Sequence, residues 1–176
     1  SYASLQDFYN IPIAADALSR HFDDLRNRPF LVGEDGVRLS LAGGQKKSAL
    51  TVLDQHGDPK LGLPTQADHL AIPKRGAPST IILKPDNPTL PGIVENEAYC
   101  LTLAGIIGIP AVDCMIVQAG DRTALAVARY DRALRRDGSV RRLHQEDFAQ
   151  ANGLYPGQKY EQGTVQGLTL IQLLLT

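Results

Sequence analysis

The run Ser79-Thr-Ile-Ile-Leu-Lys84 constrains this chain more than any other segment. Consecutive β-branched and aliphatic residues describe a buried strand, and the Pro-Asp-Asn-Pro that follows stops it. A lysine ending such a run either snorkels to water along its stem or is held by a carboxylate. Next, Pro91-Gly92 opens a helix predicted over 94–107, with Glu95 and Glu97 near its positive end and Gly108 after its last turn. The two glutamates differ by about 200° around the helix, so one of them faces a sheet beneath it.

The flanking segments complete an α+β pattern. Residues 3–28 mix helix and loop, with Ala14, Leu18 and Phe22 at near-helical spacing and Pro29 closing the region. Residues 37–54 read as strand, glycine turn, strand. Val37, Leu39 and Leu41 alternate on one arm, and Leu50, Val52 and Leu53 continue on the other. A turn-rich stretch over 53–64 suits a hairpin. Beyond the helix come two strands, 111–120 and 122–131, joined at Gly120-Asp121, and a charged hairpin around Asp137-Gly138. A short helix then ends at Gly153. The predicted order is α, ββ, β, α, ββ and helices, with a mainly antiparallel sheet and helices to one side. The expected division is a helical segment over 1–30, a sheet lobe over 31–143, and the start of a helical lobe over 144–176.

Composition narrows the classes. Hydrophobic residues make up 43% of 176, enough for a packed core, and 18 Lys+Arg against 19 Asp+Glu argue against a uniformly basic nucleic-acid binder. The apolar stretches 101–112 and 168–176 are too short or interrupted to span a bilayer, and residues 1–10 show no signal-peptide pattern. Cys100 and Cys114 form no CxxC pair and read as reduced core residues of a cytosolic protein. The four histidines are scattered without metal-ligand spacing, so no metal site is expected. From Thr164 the pattern is a helix with apolar positions at 168, 170, 171 and 173–175. A helix so apolar needs a covering partner, which suggests a piece of a longer protein.

Three features carry chemistry. Residues 39–48 (LSLAGGQKKS) place Gly43 and Gly44 between two strands, where bare amides can approach phosphate oxygens, with Lys46 and Lys47 adding charge. This is not a Walker motif, and an ordinary hairpin turn is the plainer alternative. Lys84 with Glu97 forms the second feature. A strand lysine and a helix glutamate near a glycine hairpin are how protein kinases hold the α- and β-phosphates. The plainer alternatives are a strand-end lysine and a glutamate favoured by the helix dipole. In the third, residues 127–132 (VARYDR), a strand leaves the sheet as a kinase hinge would. Val127 and Tyr130 have the character of an adenine sandwich, although aromatic and charged strand ends are common.

These stretches, with IPKRGAPSTIILK, VENEAYCLTLAGIIGI and RLHQEDFAQANGL followed by KYE, occur in one order from about Arg38 onward. In that order the chain resembles the HipA-like serine/threonine kinases, toxins of bacterial toxin–antitoxin pairs. The resemblance implies the smaller, sheet-containing lobe of a kinase-like protein that binds ATP. Ala42, Gly43, Gly44, Gln45, Lys46 and Lys47 would cover the phosphates, and Ser40 would be the autophosphorylated, self-inactivating serine. Lys84 would contact the α/β-phosphates with Glu97 as partner. Ala128, Arg129 and Tyr130 would form the adenine hinge, Asp131 would lie near the ribose, and Gln145 near the nucleotide. Lys46, Ala128, Tyr130 and Ile81 depart from the family's usual residues.

In the family, the catalytic Asp and the Mg²⁺-binding Asn and Asp lie in a helical lobe beyond this region. The resemblance therefore places no catalytic or metal-binding residue in this chain and implies that it is inactive alone. It also implies a cytoplasmic protein, a HipB-like DNA-binding antitoxin as partner, contact with DNA only through that antitoxin, and a protein substrate such as an aminoacyl-tRNA synthetase. A degenerate module that binds a partner or nucleotide without transferring phosphate is the alternative. The densest charge, Arg129, Arg132, Arg135, Arg136, Arg141 and Arg142, reads either as contact with nucleic acid or an acidic partner, or as a solvated hairpin neutralised by Asp131, Asp137, Glu146 and Asp147.

Overall fold

In chain order the elements are β1 (Tyr9–Asn10), α1 (Ala15–Asn27), β2 (Ser48–Leu53), β3 (Pro59–Lys60), β4 (His69–Pro73), β5 (Ile81–Pro85), α2 (Ile93–Ile106), β6 (Cys114–Ala119), β7 (Arg122–Ala128), β8 (Arg132–Leu134), β9 (Val140–Arg142) and α3 (Phe148–Ala151). They come from a computed structural model that describes residues 8–10, 15–27, 45–158, 167, 169 and 172. The expected strand over 37–41 lies outside the described residues, as do Ser40, Ala42, Gly43 and Gly44 and most of the C-terminal helix. Thr169 and Gln172 exchange the reciprocal side-chain-to-amide bonds of a capping box, the signature of a helix start.

An antiparallel sheet in the order β1-β4-β2-β5-β7-β6 carries the fold, with β3 on the half of β2 that β5 leaves uncovered. All six residues of β2 are buried, so its two faces pack against different layers. Leu50, Val52, Ile81, Leu83, Ala124 and Ala126 share one face with Phe22 of α1. Leu125 and Val127 project from the other, to Val94 of α2 and half-buried Ala98 and Leu101. This is the α+β arrangement expected from the sequence.

Particular residues fix the joints. Gly120 has φ 61°, the left-handed region required at the first position of a tight hairpin turn, and it links β6 to β7. Gly92 caps α2 at φ 81°, a conformation that a side chain would strain. Arg122 ties α1 to the sheet, its guanidinium donating to Asp23 and to Asp86 at 2.6 Å each. α3 opens on a capping box between Asp147 and Gln150.

Two strands escape the sequence pattern. β1 is only two residues long. β4 ends on Pro73, and its alternation (exposed His69, buried Ala71) is too short to stand out from the loops around it. The cysteines also differ from expectation. Both are free thiols, but Cys100 is exposed on α2 and Cys114 only half-buried, so neither is a core residue. α2 has apolar residues all round, and the sheet can cover just one side of it.

The loop before β4 is pinned by Asp68, which accepts from Lys60 Nζ at 2.6 Å and from the Thr65 amide and hydroxyl at 2.8 Å each. The Lys60 bond first, then those from Thr65, hold this carboxyl at a pKa of about 2. An unfolded aspartate titrates near about 3.9. Its stabilising contribution is therefore full above that value and lost as pH falls towards 2. Asp68→Asn should be less stable than wild type at pH 7, with the gap closing at pH 2 in urea melts. A gap that stays constant with pH would contradict this assignment.

The chain divides into two compact units, Ser1–Arg142 and Leu143–Thr176. All the described strands lie in the first, and the second holds α3 and a 3-10 turn at Pro156–Gln158.

Candidate functional site

The site grows from the end of β5. Strand alternation puts Ile82 and Lys84 on the face opposite α1, so the lysine emerges beneath α2. Val94 is fully buried and anchors the first turn of α2. Three residues on, Glu97 falls on the same side of the helix. Lys84 Nζ donates to Glu97 Oε1, with the side chains 21% and 27% exposed. Of the two glutamates, Glu95 is exposed and Glu97 makes the pair. Both ends remain open enough to meet a ligand.

The neighbouring strands shape the surroundings of this pair. Ala49, Ile82 and Val127 stand in one apolar rank across β2, β5 and β7, one step along from Lys84, with Ala49 and Val127 buried and Ile82 half-buried. Ser48 pairs with Leu83, and continuing that register brings Lys47 level with Lys84. The segment leaving the glycine turn therefore runs directly beside the ion pair. Cys114, packed with Leu125 and Val127, has its thiol pKa pushed up by burial first and then by the Glu97 and Asp113 charges.

The far end of the rank leads to the residues after β7. The Ala128 amide donates to the Asp113 carbonyl at 2.9 Å, and that of Arg129 to the Thr80 carbonyl at 3.0 Å. The Tyr130 amide has no hydrogen-bond partner among the described residues, and the residue is 66% exposed. A donor at a strand end beside an apolar rank suits the edge of a planar heterocycle.

Just beyond, Asp131 is buried between two arginines. Arg129 donates through Nε to Oδ1 at 2.9 Å and through a terminal nitrogen to Oδ2 at 2.7 Å, while Arg132 also reaches Oδ2 at 2.7 Å. Arg132 Nε continues to the Ser79 carbonyl at 2.7 Å, and Arg129 to the Ser79 hydroxyl at 3.2 Å. Burial raises the Asp131 pKa, but the bonds and charges of Arg129 and Arg132 outweigh it and hold the carboxyl below its ordinary value. The basic run is therefore divided, with Arg135, Arg136 and Arg141 exposed. Two of its members are built into the fold, and Arg142 bonds the Gly76 carbonyl at 2.8 Å.

Gln45 and Lys46 line a cleft of about 330 Å³ with Phe22, Asp86 and Arg122, on the α1 side of the sheet. Gln45 Nε2 is buried there without a hydrogen-bond partner among the described residues. Gln145 is exposed just ahead of α3, in the second unit. Among the described residues no three His, Cys, Asp or Glu side chains cluster as a metal site would require. Nor is any described helix long and apolar enough to cross a membrane.

Sequence reasoning missed Ser79, which both arginines grip, and the rank of Ala49 and Ile82. Only strand register brings these residues together. The odd-even phase of 79–84 was the available signal for Ile82, since it sits two positions before Lys84.

The profile of the HipA-like C-terminal domain family matches residues 39–175. A Sinorhizobium fredii protein named "Putative kinase Y4mE" is 40% identical over 156 residues, covering 89% of this chain and 34% of its own length. The serine/threonine-protein kinase toxin HipA of Shewanella oneidensis is 30% identical over 151 residues, covering 85% of this chain and 31% of the toxin. Among solved structures, a chain from the S. oneidensis HipA, HipB and operator DNA complex superposes with TM-score 0.64 at 28% identity. That match covers 89% of this chain and 34% of the other. The present chain thus spans about a third of the length of these relatives.

Proposed function

The chain belongs to the HipA-like C-terminal domain family, and on that premise we propose that it is the nucleotide-binding portion of a serine/threonine protein kinase. The observation that carries this reading is the Lys84–Glu97 pair, set beside the segment that leaves the glycine turn. Glu97 fixes a flexible ammonium in place, where it can meet the α- and β-phosphates of ATP without further ordering. The rank of Ala49, Ile82 and Val127 would take the adenine face, and the Tyr130 amide its edge. Backbone recognition tolerates Ala128 and Tyr130 as hinge residues because the side chains do not make the bond. Asp131 is held by two arginines, so in this reading it positions the hinge more directly than it binds the ribose.

Gly43, Gly44 and Lys47 would cover the phosphates, with Ser40 as the site of self-phosphorylation, while Gln45 and Lys46 line the cleft on the α1 side. The described residues do not by themselves fit a Mg²⁺ ion, since no carboxylate cluster is present among them. This portion binds and orients the nucleotide, and the complete polypeptide would transfer phosphate to a cytosolic protein in partnership with a HipB-like antitoxin.

Ser40 supplies the test of regulation. With Mg·ATP the complete protein should gain one phosphate, mapped to Ser40, and Ser40→Ala should abolish that gain while increasing toxicity in growth assays. A variant that behaves as wild type in both assays would remove Ser40 from the account.

A further inference from the structure

Three successive residues of α1 each hold a different part of the sheet. Phe22 is fully buried among Leu50, Val52, Ile81 and Leu83, and Asp23 accepts from Arg122 at the start of β7. Ahead of them, His21 Nε2 and the Ser48 hydroxyl share a hydrogen bond of 2.6 Å, with the two residues only 8% and 1% exposed. A hydroxyl both donates and accepts, so either neutral tautomer of the imidazole completes this bond. A buried polar pair in an apolar layer gains little over two aliphatic side chains, so its use is geometric rather than energetic.

Ser48 is where that geometry matters. It opens β2, and Lys47 ahead of it lies outside the ladder with β5. Strand ends fray unless something beyond the ladder holds them. Alternation puts Ser48, Leu50 and Val52 on the α1 face, which turns Lys47 and Ala49 to the opposite face, the one that carries Lys84. A slip of one residue would send Lys47 to the α1 side instead. Because Phe22 is locked in the core beside it, the imidazole is a fixed point against which the strand end is set.

We propose that His21 and Ser48 are positioning residues for phosphate binding. Their bond fixes the strand that leaves the glycine turn, so that Lys47 is delivered level with Lys84. The inference rests on the nucleotide reading above and adds to it a part for α1, which lies on the other face of the sheet.

The test is labelling of the complete protein with an acyl-phosphate derivative of ATP, quantified at Lys47 and Lys84 by mass spectrometry. Ser48→Ala and His21→Phe should each lower the Lys47-to-Lys84 labelling ratio several-fold, while labelling of Lys84 stays suppressible by ATP. His21→Gln keeps an amide within reach of the serine hydroxyl and should hold the ratio close to the wild-type value. An unchanged ratio in both Ser48→Ala and His21→Phe would overturn the proposal. So would an equal fall at the two lysines, which would mark the pair as a general support of the fold. Failure of the nucleotide reading looks different: the wild-type protein would then show no ATP-suppressible labelling at Lys84, and the inference would fall with it.

Discussion

Replacing Lys84 by Ala in the complete protein should reduce phosphate transfer by roughly 10²- to 10³-fold, the usual loss when one preorganised group facing developing charge is removed. The same change should cost little stability, about 1 kcal/mol or less, because both partners are partly exposed and solvent screens the pair. This split separates a functional ion pair from a structural one. Glu97→Gln should reproduce part of the loss, since it leaves the lysine in place but no longer holds it as a charge partner. Radiolabelled phosphate incorporation reads the first effect and urea denaturation the second. Full activity in Lys84→Ala would reduce the pair to an ordinary surface salt bridge.

The largest expected loss of stability comes from Asp131→Ala. Removing the carboxylate leaves the Arg132 guanidinium buried beside a second arginine, with 8% of the residue exposed. Breaking a buried ionic cluster by deleting one partner costs about 3 kcal/mol when the cluster lies close to the surface. Because folding lowers the Asp131 pKa, its contribution is present above the ordinary aspartate range and is lost as pH falls through the folded value. The gap between wild type and Asp131→Ala in urea melts should therefore be wide at neutral pH and narrow in acid. A change below about 0.5 kcal/mol at pH 7, typical of a surface substitution, would show that the arginines do not depend on Asp131.

The same cluster shows what can be read from sequence and what cannot. Residues 79–84 announce a buried strand, and Pro91-Gly92, the glutamates of the first turn and Gly108 announce a helix, so β5, α2 and the β6–β7 hairpin are legible from local pattern. Lys84 with Glu97 comes from the kinase resemblance, since residue pattern alone leaves a strand-end lysine and a glutamate favoured by the helix dipole as the plainer readings. β4 is not legible, since five residues ending in proline give too few alternations to distinguish it from loop. The arginines of 129–142 mislead in one respect. Composition counts them as one charge run, whereas Arg129 and Arg132 are consumed by a carboxylate and by a serine fifty or more residues away in sequence. Such long-range polar contacts leave no periodic trace. Cys100 makes the same point in reverse, because an apolar helix does not reveal which of its faces the fold will cover.

The central claim is that a nucleotide lies with its phosphates at Lys84, on the α2 side of the sheet. An acyl-phosphate derivative of ATP, which acylates lysines that contact the phosphates, tests this directly on the complete protein. The account predicts that Lys84 is modified, with Lys47 as the other acceptor, and that excess ATP suppresses the labelling. Labelling confined to Lys60 or Lys74, or labelling that ATP does not suppress, would contradict it.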